Sequence, residues 1–422
     1  MTSAVAEPAQ APGGAAVALP WGAWYQDAVH VLGLPARGQV DVLWPPAQAA
    51  WSPTQIREAL ASPLDCPPLD ELARGGRRAC VVVDDLARPT RAADVLPFLL
   101  AQLARAGMPQ DAITVLVATG THRRLTREQI EWKVGREVVA AYAVECHSSD
   151  GPLADTGLSF GSDALRLNRI FVEADVKLGI GSTLPHATAG ASGGAKLMLP
   201  GLADVTAAAR AHKLAQMRPP AGGDPSSSGA RQEAEVLARK LGFRFAVSVV
   251  VNARRETAGV VAGDIVSAHR QACALAAAAQ ATPLRADYDL LVLNAYPKDT
   301  DLIQSQTALA ALATAKRPAV VEGGVLLLTS AASEGLGQHA LYAPGGTAYR
   351  APGPRRAVGA RELWLYTPAL APSQARHLHW EGYPFFDDAG ELARALAARF
   401  PGGARIGVLP CAPLQRLLDQ RS

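Results

Sequence analysis

The alternation of strands and helices is clearest over residues 79–118, which read ACVVVDDLARPTRAADVLPFLLAQLARAGMPQDAITVLVA. Residues 79–83 are apolar and rich in β-branched side chains, which predicts a buried strand. Apolar residues then recur at helical spacing over residues 94–106, and Gly107 is suited to end a helix. A second apolar run at residues 112–118 predicts the next strand. A strand, a helix and a strand in this order indicate a mostly parallel sheet.

The same alternation continues in both directions along the chain. Thr126 and Gln129 have the spacing of a capping box, which predicts the start of another helix. Further strands are predicted at residues 141–145, 174–180, 243–251, 288–294, 324–329, 363–366 and 406–409, and a helix at residues 265–279. Residues 218–229, rich in Pro, Gly and Ser, predict a surface loop. The chain is therefore expected to be an α/β protein.

Length and composition suggest how these elements divide. A chain of 422 residues with 49% hydrophobic residues is long enough for two domains, each with its own core. We predict a disordered tail over residues 1–20, an N-terminal α/β domain over residues 21–281 and a C-terminal α/β domain over residues 283–422. The Thr282-Pro283 pair marks the expected boundary. The active site is expected in the cleft between the two domains.

Charge and cysteine usage limit the classes of partner. The net charge of +3 is spread along the chain, which argues against nucleic-acid binding. No apolar run approaches the ~18 residues that a membrane span needs. The five cysteines lie far apart without a CxxC pair, a usage typical of a reducing compartment. We expect a cytoplasmic protein that binds neither nucleic acid nor membranes.

Two polar segments follow predicted strands directly, where parallel sheets usually bind ligands. The segment at residues 84–91 contains Asp85 and Arg88, which are able to grip a ribose hydroxyl and a phosphate. A helix cap with a surface ion pair is the structural alternative for that segment. The segment at residues 120–123 places His122 on a strand-to-helix turn, as a general acid or base or as a solvated loop histidine.

The densest group of chemically capable residues runs from His186 to His212. The turn Ser192-Gly193-Gly194 allows backbone amides to approach an anion, and Lys196 follows as a charge or a nucleophile. A phosphate-binding P-loop is excluded because its Gly-Lys-Ser/Thr order is absent. Residues 335–340 match a dinucleotide fingerprint only weakly. His147, which follows the next predicted strand, is a weaker candidate of the same kind as His122 and is interpreted as a solvated loop histidine. The remaining histidines, His30, His269, His339, His377 and His379, have no supporting pattern.

Together these motifs resemble the nickel-dependent lactate racemase family. The match consists of Asp85-x-x-Arg88-Pro89, Gly120-x-His122-Arg123, His186, Ser192-Gly193-Gly194-x-Lys196, Pro200-Gly201 and His212, all in the family's order. It is continuous from about Ala79 to His212 and weaker at residues 296–306. The resemblance implies a racemase or epimerase of a 2-hydroxy acid.

The resemblance also implies a cofactor and a role for each matching residue. The family uses a nickel-pincer nucleotide, pyridinium-3,5-bisthiocarboxylic acid mononucleotide with nickel, held on a lysine by a thioamide. By this match Lys196 carries the cofactor and His212 ligates nickel, while His122 and His186 are the two catalytic acid–base residues. The ribose and phosphate are expected near Asp85, Arg88, Ser192, Gly193 and Gly194. Cofactor-synthesis or nickel-insertion proteins are the expected partners.

The substrate segment departs from the family. The usual Tyr-Gln-x-x-Lys is replaced by Ile303-Gln304-Ser-Gln-Thr307, so Gln304 is kept and the lysine is Thr307. Gln304 and Thr307 are therefore predicted to bind a 2-hydroxy acid other than lactate. Two alternatives stay open: a redox or dehydratase activity on the same cofactor, or a non-catalytic carboxylate- or nucleotide-binding protein.

Overall fold

The computed structural model describes residues 16–186, 189–218, 220, 224–352, 362–379 and 381–420. Its strands are β1 (Ala16–Trp21), β2 (Ala28–Gly33), β3 (Gly38–Val42), β4 (Ala79–Asp84), β5 (Ile113–Ala118), β6 (Ala143–Cys146), β7 (Leu153–Phe160), β8 (Asp163–Asn168), β9 (Val176–Ser182), β10 (Pro185–His186), β11 (Gly190–Ala191), β12 (Phe243–Val251), β13 (Thr257–Asp264), β14 (Ala281–Leu284), β15 (Tyr288–Asn294), β16 (Val320–Thr329), β17 (Glu362–Tyr366), β18 (Phe385–Phe386), β19 (Ala404–Leu409) and β20 (Arg416–Asp419). Its α-helices are α1 (Pro53–Ala61), α2 (Leu69–Leu72), α3 (Leu96–Arg105), α4 (Arg127–Val134), α5 (Arg136–Ala141), α6 (Arg169–Glu173), α7 (Val205–Met217), α8 (Gly229–Lys240), α9 (Ser267–Ala279), α10 (Leu302–Ser305), α11 (Pro372–Ala375) and α12 (Ala389–Arg399). Short 3-10 segments include Gly194–Leu197, Pro225–Ser227 and Gln306–Thr314.

The chain divides into two compact units, each built as an α/β layer structure. The central unit comprises Gln48–Ala279 and the short segment Gln338–Leu341. The terminal unit comprises the residues up to Ala47, then Gln280–Gly337 and Tyr342–Ser422. The predicted α/β class with mostly parallel sheets is therefore confirmed.

The central unit contains a six-stranded sheet in the order β13-β12-β9-β4-β5-β6, in which only β13 runs antiparallel to its neighbour. All six residues of β4 are buried, as its continuous apolar sequence predicted. Helix α3 buries the face with the predicted helical spacing, which includes Leu96, Leu99 and Leu103. Helix α4 begins with the predicted capping box between Thr126 and Gln129.

The terminal unit contains a parallel six-stranded sheet in the order β18-β17-β16-β15-β19-β3. Apolar side chains cover both of its faces in two clusters, represented by Leu291 and Leu293 on one side and Leu290 and Val292 on the other. Strand β3 joins the sheet beside β19, with Val40 opposite Ile406. Strand β3, from near the beginning of the chain, therefore forms one edge of a sheet whose other strands come from residues after 287.

Three predicted boundaries need correction. Residues 16–20 belong to β1 rather than to a disordered tail, because Val17 and Leu19 pack into the core of the terminal unit; residues 1–15 lie outside the described part. Strand β3 belongs to the terminal unit, not to a domain that begins at residue 21. Thr282 and Pro283 lie within β14, which pairs with β20, so they do not form a linker.

Smaller expectations have mixed outcomes. The predicted loop at residues 218–229 contains the 3-10 turn Pro225–Ser227, while residues 219 and 221–223 are outside the described part. None of the five cysteines forms a disulfide bond. Within the described ranges, no helix combines the length and the apolar character that crossing a membrane requires.

Candidate active site

A cavity lies at the carboxyl ends of β4, β5 and β9 in the central unit. Its lining includes the chemically capable side chains Asp84, Asp85, Arg88, His122, His186, Ser192, Lys196, His212 and His339. Gly193 lines it as well, and Gly194 follows directly in the chain. The structure therefore brings together the site residues that the sequence predicted at residues 84–91, 120–123 and 186–212 of this unit.

Asp85 and His122 form a carboxylate–imidazole pair at the ends of two adjacent strands. Oδ2 of Asp85 lies 2.5 Å from Nδ1 of His122, and the two side chains are 6% and 22% exposed. Burial alone would raise the pKa of Asp85, but the charge and hydrogen bond of His122, together with Arg88 and Lys133, lower it. Asp85 thus stays ionised and orients the imidazole. Its predicted ribose contact stays a prediction.

Asp84 is held by a buried lysine that the sequence analysis did not identify. Nζ of Lys133 lies 2.6 Å from Oδ1 of Asp84 and also donates to the backbone oxygens of Asp85 at 2.9 Å and Arg88 at 3.2 Å. Burial lowers the pKa of Lys133 although Asp84 opposes this shift. The surface ion pair considered for this segment is therefore wrong. Lys133 fixes the turn that carries Asp85 and Arg88.

His186 and Lys196 meet across the loop that follows β9. His186 is in β10 and pairs with Gly190 of β11, while Lys196 lies in the 3-10 segment Gly194–Leu197. Their side-chain atoms Nε2 and Nζ are 3.0 Å apart. A predicted acid–base residue and the predicted cofactor lysine are therefore direct neighbours.

The two glycines of the Ser192 turn adopt a backbone that other residues rarely tolerate. Gly193 and Gly194 have φ values of 74° and 61°. A Cβ atom on Gly194 would lie only 2.9 Å from the ring of His269. Nε2 of His269 donates to the backbone oxygen of Ser192 at 2.7 Å, and Oγ of Ser192 donates to Ser182 O at 2.5 Å. Because the serine hydroxyl supports the turn, an anion here would rely on backbone amides.

A buried arginine supports the same loop from α8. The guanidinium of Arg231 donates to the backbone oxygens of Ala191, of Gly193 at 3.3 Å and of Ala189 at 3.5 Å. Arg231 is 2% exposed, and burial lowers its pKa. Neither Arg231 nor His269 carried a sequence signal, since their role depends on contacts with residues far along the chain.

His212 has the protonation pattern of a metal ligand. Its Nδ1 donates to the backbone oxygen of Ala208 at 2.8 Å, because a carbonyl can only accept, so Nε2 keeps a lone pair. Burial lowers its pKa to about 4, which keeps the ring neutral. Within the described ranges, no three or more His, Cys, Asp or Glu side chains are grouped to hold a metal ion.

His339 is a site residue for which the sequence analysis found no support. It lies in Gln338–Leu341 and its ring centroid is 5.0 Å from that of His122 and 6.2 Å from that of His212. Its Nδ1 accepts from Leu341 N at 3.1 Å, and burial lowers its pKa to about 2. The only sequence signal near His339 is the run at residues 335–340, which matches a dinucleotide fingerprint weakly and does not indicate a catalytic histidine.

Gln304 and Thr307 belong to the terminal unit. Gln304 is in α10, whose N-cap Asp301 accepts from the backbone N of Gln304 at 2.8 Å. The hydroxyl of Thr307 donates to the backbone oxygen of Gln304 at 2.7 Å. Their contact with substrate, and the location of the site in a cleft, stay predictions.

Comparison with known proteins supports the family resemblance. Residues 25–222 match the family described as the lactate racemase N-terminal domain. The lactate racemase of Lactiplantibacillus plantarum is 28% identical over 293 residues, covering 68% of this chain and 68% of that protein. The lactate racemase of Thermoanaerobacterium thermosaccharolyticum is 27% identical over 294 residues, covering 68% of this chain and 67% of that protein.

Two solved structures share the fold. The lactate racemase apoprotein from T. thermosaccharolyticum has a TM-score of 0.72 at 20% identity, covering 96% of this chain and 100% of that one. A Thermotoga maritima protein has a TM-score of 0.65 at 18% identity, covering 88% and 100%. The matched segment contains His122, Lys196 and His212. Residues 25–222 of this chain are therefore similar to the lactate racemase N-terminal domain, and the chain is similar in sequence to two lactate racemases.

Proposed function

We propose that the protein is a racemase or epimerase of a 2-hydroxy acid other than lactate, acting with a nickel-pincer nucleotide tethered to Lys196. The observation that carries this proposal is the arrangement of His122, His186, Lys196 and His212 around one cavity of a lactate racemase-type domain. The lactate racemase relatives support racemase activity in particular. Cofactor-synthesis and nickel-insertion proteins would be its partners, and we expect it to act in the cytoplasm.

The residues around the cavity suit such a cofactor. Lys196 offers an amine for the tether, and Arg88 offers a cation for the phosphate. The positive φ values of Gly193 and Gly194 bring bare backbone to the same wall. Nε2 of His212 offers one imidazole donor to nickel, a metal that accepts nitrogen ligands beside soft sulfur. When bound, the cofactor supplies the hydride acceptor.

Two histidines of the chain are proposed to transfer the proton of the substrate hydroxyl. His122 accepts the substrate hydroxyl proton at Nε2, because Asp85 fixes the hydrogen on Nδ1. His186 serves the opposite enantiomer, since the two enantiomers present their hydroxyl groups differently. Asp85 and Lys133 act as positioning residues, one through His122 and the other through the turn that holds Asp85. Gln304 and Thr307 are proposed to hold the substrate carboxylate.

The proposal is tested by co-producing the protein with the cofactor-synthesis proteins and screening chiral 2-hydroxy acids by chiral chromatography. We expect both enantiomers of an acid larger than lactate to interconvert, and the Lys196→Ala protein to be inactive. In D₂O, the recovered substrate should carry little deuterium at C2, because a hydride does not exchange with solvent. Full deuterium incorporation would instead indicate carbanion chemistry. Inactivity on all acids tested, with the cofactor shown to be present, would contradict the racemase proposal.

A further inference from the structure

The racemisation proposed above assigns no role to the contact between Lys196 and His186. Nζ and Nε2 are 3.0 Å apart, the separation of a hydrogen bond between an amine and an imidazole. Once Lys196 is bonded to a carbonyl-type carbon, its nitrogen is no longer basic. A base placed on this nitrogen is therefore useful before the tether forms.

Both partners of this contact are held by surrounding structure. Pairing of β10 with β11 places His186 opposite Gly190, and the turn through Gly193 leads directly into the 3-10 segment that carries Lys196. The buried Arg231 donates to backbone oxygens on this loop, including that of Gly193 at 3.3 Å. The backbone between His186 and Lys196 is thus held at Gly190 and Gly193, which favours a stable contact between the two side chains.

We propose that His186 has a second role as the general base that activates Lys196 for acylation, so that the protein forms the bond to its own cofactor. The identity of the acyl group, a thiocarboxylate of the cofactor, rests on the function proposed above. The activation of Lys196 itself does not.

The chemistry balances without an oxidant or a reductant. The ammonium of Lys196 gives a proton to Nε2 of His186, and the resulting amine forms an N–C bond to the thiocarboxyl carbon. The C–O bond of that carbon then breaks, and the oxygen leaves as water. Of the three protons of the ammonium, two leave in the water, the first by way of His186, and one stays on the thioamide nitrogen.

The activation is tested on protein made without the cofactor pathway. The protein is treated at neutral pH with limiting N-hydroxysuccinimidyl acetate, and acetylation of each lysine is followed by peptide mass spectrometry. We expect His186→Gln and His186→Ala to slow acetylation of Lys196 at least tenfold, since a general base typically contributes ~10²- to 10⁴-fold. The exposed Lys213 and Lys240 serve as internal references whose rates should not change.

His122→Ala is the matched control, because His122 lines the same cavity but pairs with Asp85. This variant should lose racemisation yet acetylate Lys196 at the normal rate. Equal acetylation of Lys196 in the wild-type and both His186 variants would overturn the proposal. So would a loss of equal size in His122→Ala, which would indicate a general change of the cavity.

The second measurement is the intact mass after co-production with the cofactor pathway. Denaturing mass spectrometry should find the adduct on the wild-type protein and much less on His186→Gln, while native mass spectrometry still finds bound cofactor. A full adduct on both His186 variants would overturn the proposal. If the wild-type protein gains no adduct although His186 controls acetylation, the proposed function fails and the activation of Lys196 stands.

Discussion

Oδ2 of Asp85 lies 2.5 Å from Nδ1 of His122, and this contact determines which nitrogen of the imidazole is basic. An ionised carboxylate only accepts hydrogen bonds, so the ring hydrogen is on Nδ1 and the lone pair of the neutral ring is on Nε2. The other carboxylate oxygen of Asp85 accepts from the backbone N of Ala87 at 3.2 Å. The strand ends therefore fix both the position and the tautomer of His122.

Asp85→Asn should reduce turnover strongly and leave cofactor loading intact. The amide no longer imposes the tautomer, so we expect kcat to fall by about 10²-fold or more, within the range for general acid–base groups. The measurement is steady-state racemisation by loaded protein, with the adduct checked by intact mass. In a His122→Ala background the same substitution should have almost no further effect, because both changes remove one function. Independent, multiplicative losses would contradict this pairing.

His212→Ala should separate nickel binding from cofactor attachment. The lone pair on Nε2 of His212 is proposed to bind nickel, whereas the cofactor is proposed to be tethered at Lys196. We expect the variant to keep the mass adduct on Lys196 while its nickel content, measured by inductively coupled plasma mass spectrometry after gel filtration, falls well below that of the wild type. The control is His147→Ala, which should keep its nickel. His147 is a buried histidine whose Nε2 is hydrogen-bonded to the backbone oxygen of Ala203. Full nickel retention by His212→Ala would remove this residue from the ligand role.

The stability of the fold should decrease between pH 6.5 and pH 4. His147 is fully buried, and burial lowers its pKa from 6.5 to about 4. The folded pKa lies below the unfolded one, so acid favours the unfolded state, and stability present above pH 6.5 is lost as the pH falls towards 4. At about 1.4 kcal/mol per pH unit, this histidine accounts for up to about 3 kcal/mol.

His147→Gln should therefore flatten the pH dependence of unfolding. Urea unfolding of the two proteins at several pH values between 4 and 7 is the measurement, with the difference between them read as a function of pH. The other buried histidines shift both curves alike and cancel in this difference. A gap between the two proteins that stays constant with pH would show that His147 is not a neutral buried group.

Thr307→Lys should move substrate preference towards lactate. The hydroxyl of Thr307 donates to the backbone oxygen of Gln304 at 2.7 Å, so it would give up this hydrogen bond to donate to a substrate carboxylate and would bring no charge. A lysine would add a charge-assisted hydrogen bond to a substrate carboxylate, which typically contributes about 1.5–3 kcal/mol, or roughly 10- to 150-fold in kcat/KM for lactate relative to larger acids. Thr307→Met is the control, because methionine is similar in length to lysine but carries no charge. An unmodified protein that already prefers lactate would contradict the specificity proposal.

The sequence by itself determined most of the strand and helix pattern. Residues 243–251 and 288–294 were predicted as strands with the bounds that the structure has, and the capping box at Thr126 opens α4 as expected. Apolar periodicity and local capping are properties of short segments, so they can be recognised in the sequence without knowledge of the fold. The order and spacing of His122, Lys196 and His212 could be recognised for the same reason, because they form a pattern along the sequence.

The tertiary structure decided what depends on distant partners. Strand β3 joins β19 across most of the chain, and β14 replaces the expected linker at Thr282, because strand pairing is made between segments that carry no mutual signal. Lys133 and His339 reach the site in the same way, through a buried ion pair with Asp84 and a segment placed beside His122. A charged or imidazole side chain looks ordinary in a sequence, since only its burial and its neighbours, which folding creates, turn it into part of a site.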